Sequence, residues 1–291
     1  MSFYHEDATG LNIDFPDDEF RVETPSVFDG MPWIQYGETR RSNPITDPLG
    51  GNVAQSDLVI DNTYNLLRPN MDRNTFMSTE RSRADRRIST LMALLSLEEL
   101  ARPRPEHSTR LITDEQFAQV RSTREDRTPA DAMHTRVEQR GIMFSPADCP
   151  LVIIADPTKD RHSLTVIHAG YKGLGKDIIG SALDQLDIKR KEAHVFITPH
   201  ALKGFQVYGE PLVELESSAV TREHLGPSDT EGKRSLNFGS AIIARLIELE
   251  LDPHHIEVSS DNSLTDPTLY SQRNWRQKGA NGRNAVMVGI C

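Results

Sequence analysis

The sequence predicts an α+β fold in a single domain, with mixed or antiparallel sheets covered by helices. Three observations carry this. Short Val- and Ile-rich runs come in pairs, as hairpin strands do. Longer runs with apolar residues at helical spacing lie between them. The two kinds of segment neither alternate strictly, as in a doubly wound parallel sheet, nor separate into halves. A chain of 291 residues, 37% apolar and 26% charged, has a globular composition and room for one large domain.

Residues 1–30 carry eight acidic groups against Arg21 alone, which accounts for −7 of the formal net charge of −10. They read as an acidic tail, flexible or loosely docked, before a domain over 31–291. Residues 33–41 read as a strand entering a polar loop, and Gly50-Gly51-Asn52 as a turn. A helix is expected over 79–100, where Ile88, Leu91, Met92 and Leu95 share one face and Leu94 and Leu97 widen it. Pro103 and Pro105 end it. Residues 106–112 read as a short strand, and 121–127 as a solvated charge run. Residues 130–135 lead to a strand at 141–144, just before the central hairpin.

That hairpin pairs 151–155 with 164–167 across a polar turn at 157–161. Beyond it come a helix at 176–186, a strand at 193–198 and a helix at 210–220. A helix at 239–251, a strand at 255–259, a polar stretch at 261–282 and a closing strand at 284–290 complete the chain. No internal repeat shows.

Composition also excludes classes of function. No run of eighteen apolar residues is present, so no membrane-spanning helix is expected. The first residues lack a basic start and an apolar core, so no secretory signal is expected. Two cysteines are not a disulfide framework, and a reducing cytoplasm is the expected setting. No basic stripe suited to nucleic acid appears.

The hairpin sets Cys149 at the outer end of its first strand and His168 at the outer end of its second. Antiparallel pairing makes these ends neighbours, so a thiolate would meet an imidazole. That is the beginning of a metal site or of a Cys–His dyad. His107, His134 and His200, all near expected strand ends, are candidates for a third ligand, and spacing does not choose among them. His5, His162, His254 and His255 sit in polar contexts and read as surface residues. Asp148 reads equally as a proton carrier and as a local turn cap. Gly170, Gly173 and Gly175 open a helix without the Lys-Ser/Thr ending of a P-loop. Arg40 and Arg41 are candidate anion binders, and Cys291 reads as an incidental thiol.

These residues resemble a family. ADCPLVIIAD followed by HAGYKGL is similar to the Ala-Asp-Cys…His-Ala-Gly-Trp-Arg-Gly signature of the laccase-domain proteins. Those were long labelled multicopper polyphenol oxidases and are described as zinc-dependent purine nucleoside phosphorylases with adenosine deaminase activity. Ala130-Asp131-Ala132, Ile197-Thr198-Pro199-His200, Leu236-Asn237-Phe238, Tyr270-Ser271-Gln272-Arg273 and Gly282-Arg283 also resemble family elements, and 37–41 resembles its early Phe-Ser-Thr-Arg segment. The likeness spans about 31–290.

The resemblance implies four layers, helix/sheet/sheet/helix, and a metal held by two histidines and one cysteine. The upstream histidine belongs to a Gln-Val-His-Gly element, matched here by 105–108, so the implied ligands are His107, Cys149 and His168, with His134 in reserve. Zinc is implied ahead of copper, because one such cysteine and scattered histidines do not furnish several copper centres. The implied substrates are purine nucleosides and phosphate. Arg40 and Lys172 would position phosphate, and Asp148 would transfer a proton. The chain departs from the pattern at Pro150, Tyr171, Lys172, His200 and Asn274, and its hairpin turn is longer. Lys172 lacks the planar fork of the family's arginine. The chain reads as a divergent member. Two other classes stand beside a nucleoside enzyme: a Cys–His hydrolase on the same scaffold, and a protein that binds a nucleoside-like ligand without turnover. Oligomeric state is left open.

Overall fold

The computed structural model describes residues 19–41, 52, 72–120, 126–158, 162–202, 204–227, 230–278 and 281–291. Its central sheet contains β4 (Leu111–Ile112), β5 (Ala132–Thr135), β7 (Leu151–Asp156), β8 (Ser163–His168), β9 (His194–Ile197) and β13 (Ile256–Val258). These six strands run in the order β13-β9-β7-β8-β5-β4. The expected hairpin is its middle, with Leu151 opposite His168 and Asp156 opposite Ser163. Every residue of β7 and β8 is buried, so neither strand shows the alternation of a half-exposed one.

A second, five-stranded sheet contains β1 (Phe20–Arg21), β2 (Ile34–Thr39), β3 (Glu99–Ala101), β6 (Arg140–Phe144) and β14 (Val286–Ile290), ordered β1-β2-β14-β6-β3. A small third sheet joins β10 (Phe205–Tyr208), β11 (Leu225–Gly226) and β12 (Lys233–Leu236). The pairs β3/β6, β4/β5 and β9/β13 are parallel and the others antiparallel, so the sheets are mixed as expected.

Three cores define the layers. On the outside of the five-stranded sheet, α1 (Arg73–Leu94) sets Ile88 and Leu91 against Met143 and Met287. Between the two large sheets, Ile34, Tyr36, Ile142 and Val288 meet Met133, Ile153, Val166 and Phe196. On the far face of the six-stranded sheet, Val152, Ile154, Ile167 and Val195 pack under the helical layer. That layer contains α3 (Tyr171–Gly175), α4 (Ile178–Leu183), α5 (Glu210–Ser217) and α6 (Phe238–Glu248), with Leu174, Ile179, Leu215 and Ile242 facing the sheet. The short α2 (Asp114–Phe117) starts in a Thr113–Gln116 capping box. The expected helix/sheet/sheet/helix arrangement is present. Ile153 and Ile154 serve opposite cores, so a one-residue slip of β7 would exchange its faces. Each such side chain contributes about 2 kcal/mol by burial.

Several expected boundaries move. The first helix begins at Arg73, where the Asp72 carboxylate accepts from the Thr75 N–H at 3.0 Å, and ends at Leu94. Ser96 then turns the chain at φ +54, and residues 99–101 become a strand rather than the helix end. Residues 106–110 are a turn, and only Leu111–Ile112 is strand. The helix expected at 176–186 breaks at Asp177 (φ +57), which caps the Gly180 N–H and pairs with Arg245 at 2.6 Å. The small third sheet is not expected from the sequence, because β10 alternates over only four positions and β12 reads Lys-Arg-Ser-Leu, without alternation. His5, Gly50, Gly51, residues 121–125 of the charge run and residues 159–161 of the hairpin turn lie outside the described residues.

The largest correction concerns the tail. Residues 1–18 lie outside the described residues, but 19–30 belong to the fold. Glu19 is buried and receives Arg87 Nε at 2.9 Å and Nη2 at 3.1 Å. Phe20 and Arg21 pair with Thr39 and Glu38. Glu257 accepts from Ser26 Oγ and the Val27 N–H, each at 2.7 Å. A local charge count takes Glu19 as solvated, whereas its counter-charge comes from another element. Glu19→Gln should therefore lower the unfolding free energy by about 3 kcal/mol, the cost of breaking a buried pair. The check is the urea midpoint at constant m-value. A loss below about 0.5 kcal/mol, the scale of an unremarkable surface change, would show that this segment does not dock.

Candidate metal centre

The centre forms where three neighbouring strands of the large sheet end. His168 closes β8 opposite Leu151, and the Ala169 N–H donates to the Pro150 carbonyl at 3.0 Å, so the pairing runs on to Cys149. On the other side of β8, the His168 N–H donates to the Asp131 carbonyl at 2.7 Å, just before β5 begins. His107 arrives on the loop before β4. The ligand atoms of His107, Cys149 and His168 all lie within 4.8 Å of one another.

His107 has φ +57, unusual for a residue with a side chain. The Asp131 carboxylate holds it there, accepting from the N–H groups of Glu106 (3.1 Å), His107 (3.0 Å) and Ser108 (2.8 Å), and from Ser108 Oγ (2.8 Å). The same carboxylate receives His168 Nδ1 at 2.9 Å. With Nδ1 so engaged, His168 Nε2 is the nitrogen available to a metal. Gly170 gives the two rings room: a Cβ there would lie 2.6 Å from His107 Cδ2 and 3.1 Å from His168 Cε1.

The electrostatics agree. Burial pushes the Cys149 thiol up, but hydrogen bonds from His107 and His168 outweigh it and bring the group to about 6. Burial disfavours charged His168, yet the Asp131 and Cys149 bonds lift it to about 9. Burial also opposes charge on Asp131, and the bonds from His168 and Ser108 hold its carboxyl well below the usual range. Two imidazoles and a thiolate in close reach are a donor set that could hold a metal such as zinc or copper.

The other expected site residues have different surroundings. Asp148 is buried, with Oδ1 accepting from Ser263 Oγ at 2.8 Å and Oδ2 from the Arg273 N–H at 2.8 Å. Arg40 is buried and bound to Glu38, to Asp261 at 2.6 Å and to Asp266 at 3.3 Å. Its guanidinium is a strut among carboxylates: Glu38, two residues before it, and Asp261 and Asp266, 221 and 226 positions away, supply its counter-charges. Lys172 lines a groove of about 700 Å³ with Lys176, Glu210 and Glu214. His134 stands on β5 with Nδ1 2.9 Å from Thr165 Oγ1 and is not in the cluster. Buried His200 bonds the Thr198 carbonyl through Nδ1 at 2.7 Å and is likewise outside it. Of the histidines read as surface, His254 is exposed, while half-buried His162 stacks on Trp33 and half-buried His255 on His194. Cys291 is exposed.

Asp131 is the residue of this candidate site that sequence reasoning missed. A signal existed, since an acid between two alanines at the start of a buried strand requires partners. Asp131→Asn should weaken metal binding about 10- to 100-fold, measured by competition with a chromophoric chelator. An unchanged affinity would remove its ordering role. His134 gives a pH dependence. Burial, then Arg136, lowers it from 6.5 to about 4, so between those values the unfolded chain takes a proton that the native state refuses. Stability is complete above pH 6.5 and falls by up to about 3 kcal/mol toward pH 4. His134→Gln should flatten that part of the stability–pH curve, and an unaltered slope would assign the effect elsewhere.

Comparison with known proteins places the chain in a family. The family described as multi-copper polyphenol oxidoreductase laccase matches residues 62–291. No curated protein matches the chain significantly. The chain is similar in fold to the hypothetical protein YfiH of Bacillus licheniformis (TM-score 0.68, 17% identity, covering 94% of this chain and 100% of that one). It is similar to NMB0706 of Neisseria meningitidis (TM-score 0.66, 14% identity, 94% and 99% covered). It is also similar to YlmD of Geobacillus stearothermophilus (TM-score 0.61, 18% identity, 94% and 99% covered). With most of its length matched, this chain belongs to the multi-copper polyphenol oxidoreductase laccase family.

Proposed function

We propose that the protein is a zinc enzyme acting on purine nucleosides in the cytoplasm, by phosphorolysis of adenosine or inosine, by adenosine deamination, or both. The observation that carries the reading is the His107–Cys149–His168 group drawn together by Asp131. The substrate class rests on the likeness of the hairpin signature to the laccase-domain proteins. Zinc at the three ligands would supply a Lewis acid able to polarise a substrate oxygen.

The chain's own groups do the rest. Asp131 keeps a proton on His168 Nδ1 and orients the ring. Cys149 is present as thiolate through its two imidazole partners. Asp148, with both oxygens occupied, acts by position: it ties the segment of Ser263 and Arg273 to the residue before Cys149. Tyr171 is half-buried beside His107 (5.6 Å between ring centroids) and Phe205 (5.8 Å), a flat surface on which a base can stack.

A second reading has its own support. Cys149 bonded to His168, with Asp131 behind the ring, is also the arrangement of a Cys–His–Asp hydrolase. Elemental analysis separates the two. Wild type should hold about one zinc per chain, lost in His107→Ala, Cys149→Ala and His168→Ala and retained in His134→Ala. The zinc-loaded protein should then release free base from inosine only with phosphate, or ammonia from adenosine. Full nucleoside turnover by metal-free Cys149→Ala would overturn the zinc reading. Inactivation by a thiol reagent without loss of metal would favour the hydrolase.

A further inference from the structure

Several arginines of this fold are neutralised by carboxylates. Arg87 is held by Glu19, Arg40 by Glu38 and Asp261, Arg140 by Asp114 and Glu99, and Arg245 by Asp177. Arg273 and Arg283 differ, and both border the metal centre. The backbone N–H of Arg273 donates to Asp148 Oδ2 at 2.8 Å, one residue from Cys149. Its guanidinium lies over the Phe205 ring, 4.5 Å from the centroid, and Phe205 packs on Tyr171, which packs on His107. Arg283 sits where Asn284 N–H donates to the Pro146 carbonyl at 3.1 Å and its own N–H donates to Asn52 Oδ1 at 3.0 Å.

The contacts of the Arg283 guanidinium are all neutral: the Gly282 carbonyl at 2.7 Å, Asn281 Oδ1 at 3.4 Å and Gln272 Oε1 at 2.6 Å. They leave Nε and one hydrogen of Nη2 unspent among the described residues. Neither Arg273 nor Arg283 has a carboxylate partner among those residues. Gln272, the residue before Arg273, accepts from Arg283 through its side chain, so the Arg283 guanidinium is tied to the segment that carries Arg273. Burial disfavours the charge of Arg283, while Asp148 and Cys149 act on it in the opposite sense. A half-buried arginine with neutral contacts and spare donors is set up for an external anion.

We propose that Arg273 and Arg283 hold the anionic group of the substrate, a phosphate-class oxyanion, at the rim of the metal centre. This assigns to them the role that sequence reasoning gave to Arg40 and Lys172. The assignment rests on the proposed nucleoside reading for the identity of the reaction, and on the two guanidinium environments for the site. Arg283, with unspent donors, grips the oxyanion by hydrogen bonds. Arg273, steadied over Phe205, adds positive charge beside it.

The test is calorimetric titration of the full-length protein with inorganic phosphate, with zinc content measured on the same samples. Wild type should bind phosphate. Arg283→Gln and Arg273→Gln should each weaken binding at least tenfold, with zinc content and thermal midpoint unchanged. Arg283→Lys should recover part of the loss, because charge is restored without the fork. Unchanged phosphate affinity in both Gln variants, or no binding by a wild type that does hold zinc, would overturn the anion site and leave the zinc reading standing. Arg-dependent phosphate binding by a chain that takes up no zinc would sink the zinc reading and keep the anion site.

Discussion

The site depends on one buried carboxylate. Asp131 accepts from three consecutive backbone N–H groups at 106–108, from Ser108 Oγ and from His168 Nδ1. Hydrogen bonds to a charged acceptor contribute about 1.5–3 kcal/mol each, and an unpaired buried carboxylate would cost several. The network therefore favours being complete or absent. When complete it fixes one ligand through its backbone and another through its ring, although the two lie far apart in sequence.

Sheet order makes this possible. Strands β5, β8 and β7 lie side by side, and their ends at Asp131, His168 and Cys149 meet on one edge. Because Ile153 and Ile154 belong to different cores, the register of β7 is held by apolar packing on both faces. The polar segment from Asp261 to Arg273 closes the same edge. It is tied by Asp148 and by Arg40, and Lys278 Nζ donates to the carbonyls of Ser263 and Asp266 at 2.5 Å each and to that of Leu269 at 2.8 Å. Charged side chains thus serve as struts where a carboxylate or carbonyl answers them. Arg273 and Arg283 border the same edge and have no carboxylate partner among the described residues.

Residue order alone determined the hairpin, the meeting of Cys149 and His168 at its outer end, and the class of fold. These rest on local properties: buried β-strands read as runs of Val and Ile, a polar Pro-led turn joins them, and antiparallel pairing brings their ends together. The helices at Phe238–Glu248 and Arg73–Leu94 were legible from apolar spacing, with ends displaced where Asp72 and Ser96 set the true boundaries. Tertiary structure alone decided which histidine joins Cys149 and His168, because His107, His134 and His200 all lie near strand ends and the Asp131 bonds bring His107 inward. It also decided that residues 19–30 dock, that Arg40 is neutralised, and that Asp148 is spent on positioning. Each of these is a pairing of charges or polar groups across long stretches of chain. Hydrophobic periodicity records which face a residue buries, but nothing local records which distant partner will satisfy a buried charge.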